Sequence, residues 1–252
     1  MDVSQAWCGP LAAWTSAWIA GTVSLDEAVD AVTGGSPHRL AVAGPQPELA
    51  GLDGAGLAEA LVHWRRSGQA VRAVLPAPGD VRGLPPLPPV TAAATQAGQA
   101  AVGGGLAVVP EVVDHGAGAQ PVVLWRVWAV PAAAPDHLSV ADAQHELAEA
   151  VRETAGALTA AEVAGSSAGA AAGLTAARRA GDAPNLPRGF PPRAVALVSQ
   201  AERLQAVLDL ALLDPVGGAV DRAGVAARTA ALRPLVTAVR RARAAGYNAL
   251  TE

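Results

Sequence analysis

Leu106-Ala107-Val108-Val109-Pro110-Glu111-Val112-Val113 and Val122-Val123-Leu124-Trp125-Arg126-Val127-Trp128-Ala129-Val130 are the stretches whose reading decides the fold. Both are rich in Val, whose branched side chain suits a pleated surface. Eight residues, Asp114 to Pro121, separate them, and that spacing predicts an antiparallel hairpin with a mobile tip. In the second strand Val123, Trp125 and Val127 share one face, and Leu124, Arg126 and Trp128 share the other. An arginine between apolar neighbours on a strand face needs a partner. We expect an acid, or the face of Trp128.

Upstream, His38 to Ala43 and Val71 to Leu75 read as two more strands, for a sheet of roughly four. Helices lie between them. Trp7, Leu11, Trp14 and Trp18 recur at helical spacing and predict a strongly docked helix. Ser24 followed by Glu27 is a capping-box pattern, and Gly34-Gly35 ends the helix it starts. Leu57, Leu61 and Trp64 mark a third helix, with Arg65 and Arg66 in its last turn. Residues 76–89 contain six prolines and predict an extended surface loop. Val90 to Val102 reads as an Ala-rich helix that leaves through Gly103-Gly104-Gly105.

Downstream the strand signals stop. Ser139 and Asp142 can cap a helix running to about Ala164. Residues 165–190 are poor in large apolar side chains and read as a flexible connection. Pro191-Pro192 opens a helix with Val195, Val198, Leu204, Leu208 and Leu212 toward one side. The last helix, about Ala219 to Ala245, carries Val225, Leu232, Val236 and Val239, with Pro234 inside it. The expected class is therefore α+β. Residues 1–135 form a small mixed sheet covered by helices, and residues 136–252 form an all-helical half with three main helices.

Composition narrows the function classes. The chain has 252 residues, six Trp and one Cys, and all 18 of its cations are Arg. A single thiol excludes a disulfide scaffold and fits the cytoplasm. No stretch is long, apolar and uncharged enough to span a bilayer. The net charge of −4 does not favour nucleic acid or anionic membrane. Residues 1–165 hold 16 acids and 7 Arg, whereas residues 166–252 hold 6 acids and 11 Arg. That asymmetry is what two layers of opposite sign would show, or an Arg-rich surface for an acidic partner.

The catalytic motifs are fragments. Trp7-Cys8-Gly9-Pro10 resembles the front of the thioredoxin active-site motif. The second cysteine of that family is replaced by Leu11, so no intramolecular disulfide cycle is available. Gly165-Ser166-Ser167-Ala168-Gly169 matches a nucleophile elbow, but every histidine precedes Ser167, against the usual chain order. Asp142 and His145, three apart on one helix, are weak metal candidates without a matching His on later helices. No phosphate loop is present, since its lysine is lacking. No cofactor is expected.

Three readings follow. The leading one is a non-catalytic protein-interaction or scaffold protein, with a protein partner or a second copy meeting the helical C-terminal half. The second is a ligand-binding protein or enzyme with a pocket near loops 76–89 and 114–120. Asp80, Arg82, Asp114, His115 and Arg126 would surround it, because loops held by a sheet often carry sites. The third is nucleic-acid binding through Arg222, Arg233, Arg240, Arg241 and Arg243. It is disfavoured because no recognition motif accompanies them.

Overall fold

A computed structural model describes residues 6–114, 121–132, 134–160, 184–213 and 222–251. The chain is α+β, with a five-stranded mixed sheet and a helical C-terminal region. Its contacts gather into two units. The first comprises residues 1–137, Asn185–Gly189 and Tyr247–Glu252, and the second Leu138–Pro184 and Phe190–Gly246.

The first unit holds helices α1 (Cys8–Ile19), α2 (Leu25–Thr33), α3 (Leu57–Ser67) and α4 (Pro88–Ala97). Its strands are β1 (His38–Val42), β2 (Arg72–Val74), β3 (Ala100–Gly103), β4 (Leu106–Val113) and β5 (Val122–Ala129). The order across the sheet is β1-β5-β4-β3-β2. Strand β1 runs parallel to β5, and all other pairs are antiparallel. The expected hairpin is present, pairing Leu106 with Ala129 through Val113 with Val122.

The strand alternation sorts side chains onto two faces. Leu40, Leu106, Val108, Val123, Trp125 and Val127 join the core under α1, α2 and α3. Ala100, Ala107, Val109 and Trp128 pack with Val90 and Ala94 of α4 on the opposite face. Helix α1 is more than a striped surface helix. Every residue from Cys8 to Thr15 is buried, because its Gly and Ala positions allow close approach on all sides. Three indole N–H groups in this unit find acceptors: Trp64 at Gly103 O (2.9 Å), Trp14 at Asn185 Oδ1 (2.8 Å) and Trp125 at His38 Nδ1 (3.0 Å).

Two local expectations change. The Ala-rich stretch from Val90 is not one helix to Val102. Helix α4 starts earlier, on Pro88 of the proline-rich segment, and stops at Gly98, whose φ of 67° is the left-handed helix cap. Ala100–Gly103 then pairs as the fifth strand. The end of the presumed connection, 184–189, belongs to the first unit, where Asn185 bridges Trp14 and the Ala31 carbonyl. The remainder of that connection, through residue 183, lies outside the described residues, and so does the Gly165–Gly169 motif.

The second unit is built on α5 (Val140–Ala160), α6 (Pro192–Leu213) and α7 (Arg222–Tyr247). Its core runs Ala143, Leu147, Ala150 on α5, then Leu197, Ala201, Leu208 on α6, and Leu232, Leu235, Val239, Ala242 on α7. Ser139 caps α5 by accepting from Asp142 N–H (3.1 Å). Gly246 lies against Val198 so closely that a Cβ there would overlap it. Pro234 lies within α7 and is exposed, so its ring meets water.

Candidate binding cleft

Strand β4 has eight residues, but β3 pairs only with its first three, Leu106 to Val108. Beyond Val108 the side of β4 away from β5 has no strand partner among the described residues. A cleft of about 500 Å³ opens there, within the usual range of ligand pockets, ~300–1,000 Å³. It is lined by the consecutive residues Val109, Pro110, Glu111 and Val112. Since successive strand residues point to opposite faces, four in a row on one cleft means that the cleft follows the strand's edge. The facing wall comes from Trp7 and from Ala93, Gln96 and Ala97 of α4, with Gln99 beyond them.

The backbone direction along this edge follows from one bond. Val130 N–H donates to Gly105 O (2.8 Å), opposite it in the same register. Hydrogen bonding alternates along an antiparallel strand. The odd-numbered residues of β4 therefore bond to β5, and the even-numbered ones face the other side. Leu106 and Val108 meet β3, whereas Pro110 and Val112 face the cleft. Proline is excluded from strand interiors because it cannot donate to the ladder. Pro110 is accommodated because its nitrogen points to the side where no strand pairs.

The polar groups divide between structure and rim. Gln99 is 6% exposed, and its Oε1 accepts from Trp7 N–H (2.9 Å) and Cys8 N–H (3.0 Å), closing the N-terminus of α1. At the mouth, Glu111 and Arg126 stand 3.9 Å apart and are about half exposed, and Asp114 also lines the cleft. Arg126 thus has an acid for a partner. Of the sequence-derived candidates, Asp114 and Arg126 share this cleft. His115 lies outside the described residues. Asp80 and Arg82 line neither this cleft nor the groove of Pro78, Leu87 and Thr91 beside α4; they form a two-bond pair with each other (2.8 Å each). Gln96 and Gln99 had no motif to mark them, and Trp7 was marked only by the helical stripe and the thioredoxin-like fragment. An amide directly after a helix-ending glycine was the available signal.

The buried titratable groups have structural surroundings. Cys8 is fully buried, and burial pushes its thiol well above the ordinary range, so it is held as the protonated, unreactive form. Gly9, next in the thioredoxin-like fragment, is covered by the Tyr247 ring. His38 is 5% exposed, between Trp7 and Trp125, and burial lowers its pKa to about 4. Among the described residues no group of His, Cys, Asp and Glu could hold a metal ion. Asp142 accepts from Ser139 Oγ (2.7 Å), and His145 lies 3.7 Å from Glu149 on the exposed side of α5.

The arginines of α7 are partly committed. Arg241 pairs with Glu146 (3.1 Å) and Arg243 with Glu202 (3.0 Å), the latter with both side chains mostly buried. Arg233 is exposed and Arg240 half-buried, while Arg222 is the first residue of α7. No described helix is long and apolar enough to cross a membrane.

Fold and cleft define an α+β protein with a recessed strand edge in its N-terminal part and a helical C-terminal part. The chain belongs to the Rv1486c-like protein family: the family's N-terminal domain matches residues 8–138 and its C-terminal domain residues 141–244. It is 28% identical over 280 residues to uncharacterized protein Rv1486c of Mycobacterium tuberculosis (strain ATCC 25618 / H37Rv), covering 97% of both chains. Uncharacterized protein MAV321 of Mycobacterium avium is 31% identical over 184 residues, 59% of this chain and 60% of its own. No solved structure matches the chain.

Proposed function

We propose that this chain is a non-catalytic interaction protein and that the cleft beside the outer half of β4 receives its partner. One observation carries the reading. The cleft is lined by a strand edge, apolar side chains and the amides of Gln96 and Gln99, with exposed charges at Glu111, Asp114 and Arg126, which is the make-up of a recognition surface. Around it, the buried Cys8 and His38 are withdrawn from chemistry by burial. The helical region was the first place to expect such contact. Its core positions pack on one another, Val207 and Leu210 of α6 stay exposed, and Arg241 and Arg243 are taken up by acids, so we place the weight on the N-terminal unit. The same pairs weigh against nucleic acid as the partner. A cytoplasmic setting fits the lone, buried thiol.

The test places a photo-cross-linking residue at Gln96, in the cleft wall, and as a control at Asp30, exposed on α2. Both proteins are expressed as full chains in their native cells and irradiated. Polypeptide adducts should concentrate at position 96. Equal yields at both positions, or none at 96, would remove the proposal.

A further inference from the structure

We infer that the strand-bearing unit is held closed by two clasps from outside the family's N-terminal match, the Asn185 side chain and a strap of residues 247–251. Residues 8–138 are therefore an incomplete domain, finished by segments of the C-terminal half.

Strand β2 is the last in the sheet, so its outer edge has no strand beside it. The Asn248 side chain takes that place. Its oxygen accepts from Ala73 N–H (2.8 Å), and its amide N–H donates to Ala73 O (2.9 Å). Those are the two bonds that a facing strand residue would make. Natural sheets cover such edges because an open one pairs with other chains. Thr251 fastens the strap to the same strand, its carbonyl accepting from the Arg72 guanidinium (2.7 Å). Thr251 also closes the strap into a turn, donating to Asn248 O from its N–H (2.9 Å) and its hydroxyl (2.7 Å). At the strap's other end the Tyr247 ring, 4% exposed, covers Gly9 of α1.

The second clasp joins two helices. Asn185 Oδ1 accepts from the Trp14 indole N–H of α1 (2.8 Å), and its amide donates to Ala31 O of α2 (2.6 Å). Ala31 lies in the last turn of α2, where carbonyls lack an intrahelical donor. A carboxamide carries both a donor and an acceptor, so one asparagine satisfies a pair of groups at each place. Without the clasps, Ala73, Trp14 and Ala31 lose these partners and Gly9 loses its cover. The family matches part the sequence between residues 138 and 141. The strand-bearing unit crosses that border to take in Asn185–Gly189 and Tyr247–Glu252.

The experiment uses the full chain and two reporters in the strand-bearing unit. One is the rate at which a thiol reagent labels Cys8, the chain's single cysteine, which is fully buried. The other is hydrogen exchange at the Ala73 amide. Both rates follow the opening of their surroundings. Asn248→Leu and Asn185→Leu keep the bulk and strand the bonded groups. Each should label Cys8 roughly ten- to hundredfold faster while keeping native circular dichroism, the range expected for an unpaired buried group. Ala73 exchange should rise by at least as much in Asn248→Leu. Should that variant fail to fold, the milder Asn248→Ala takes its place. Unchanged labelling in both folded variants would overturn the proposal and leave residues 8–138 closed by their own contacts. A response from one variant alone would overturn the clasp that stays silent.

Discussion

The ring of Tyr247, at the C-terminal end of α7, covers the backbone of Gly9 in α1 so closely that a methyl group at Gly9 would overlap it. The glycine of the Trp-Cys-Gly-Pro fragment is thus explained by packing. Two effects of Gly9→Ala have opposite signs. Helix propensity favours Ala by up to ~1 kcal/mol, whereas overpacking a closed core costs ~1–3 kcal/mol. Overlap dominates here, and Gly9→Ala should lower unfolding free energy by about 1–2 kcal/mol in urea titration. A stabilised variant would show that the ring moves aside without penalty.

Cys8, beside it, should be inert in the folded chain. It is fully buried, and its thiol is pushed up by that burial. A chromogenic disulfide reagent should give no reaction at pH 8 in buffer and one thiol equivalent in denaturant. Rapid labelling of the native protein would contradict both the burial and the structural role.

His38 makes stability depend on pH. Its folded pKa is about 4 against an ordinary 6.5, so the unfolded chain binds the proton more readily. Stability is therefore full above about pH 6.5, declines as pH falls from there toward 4, and levels off below. The slope in that window is about 1.4 kcal/mol per pH unit, for a total of about 3 kcal/mol. Urea midpoints between pH 7.5 and 4 in the parent and in His38→Gln isolate this part. Identical pH dependence in the two would show that His38 titrates normally.

Gln99 is expected to be the most sensitive residue of the cleft wall. Its Oε1 accepts from Trp7 and Cys8 N–H at a helix start with no capping side chain of its own. Gln99→Leu strands both donors and should cost about 2–4 kcal/mol. Gln99→Glu keeps the two acceptor bonds, and its charge suits the helix N-terminus, so against the cost of burying that charge it should still lose less than Gln99→Leu. Equal losses in the two variants would show that shape, and not the acceptor, matters there.

In the second unit, Arg243 and Glu202 form a mostly buried ion pair at 3.0 Å. A double-mutant cycle with Arg243→Met and Glu202→Gln should give a coupling of about 1–3 kcal/mol, with each single variant destabilised. A coupling near zero would return Arg243 to the pool of arginines available to an acidic partner.

What the sequence determined by itself is what neighbouring residues decide. Ser24 accepts from Glu27 N–H (3.1 Å), and Gly34 takes the left-handed cap at φ 56°, as their spacing foretold. The Val-rich runs pair as the hairpin, and Leu147, Leu204, Leu208, Leu232, Val236 and Val239 of the last three helices meet in one core. Asp114 and Arg126 were legible as candidates because charges at a strand end and on a strand face stand out. Tertiary structure decided the rest. Ala100–Gly103 has the composition of a helix and becomes a strand only because Gly98 stops α4 and β2 and β4 stand ready to pair. The cleft exists because that strand has four residues and its neighbour β4 has eight, a mismatch no local pattern encodes. Hydrogen bonds between strands join residues far apart in the chain, so where an edge is left uncovered depends on the whole sheet. The same holds for Gly9, whose small size is demanded by a ring that lies far away in the sequence.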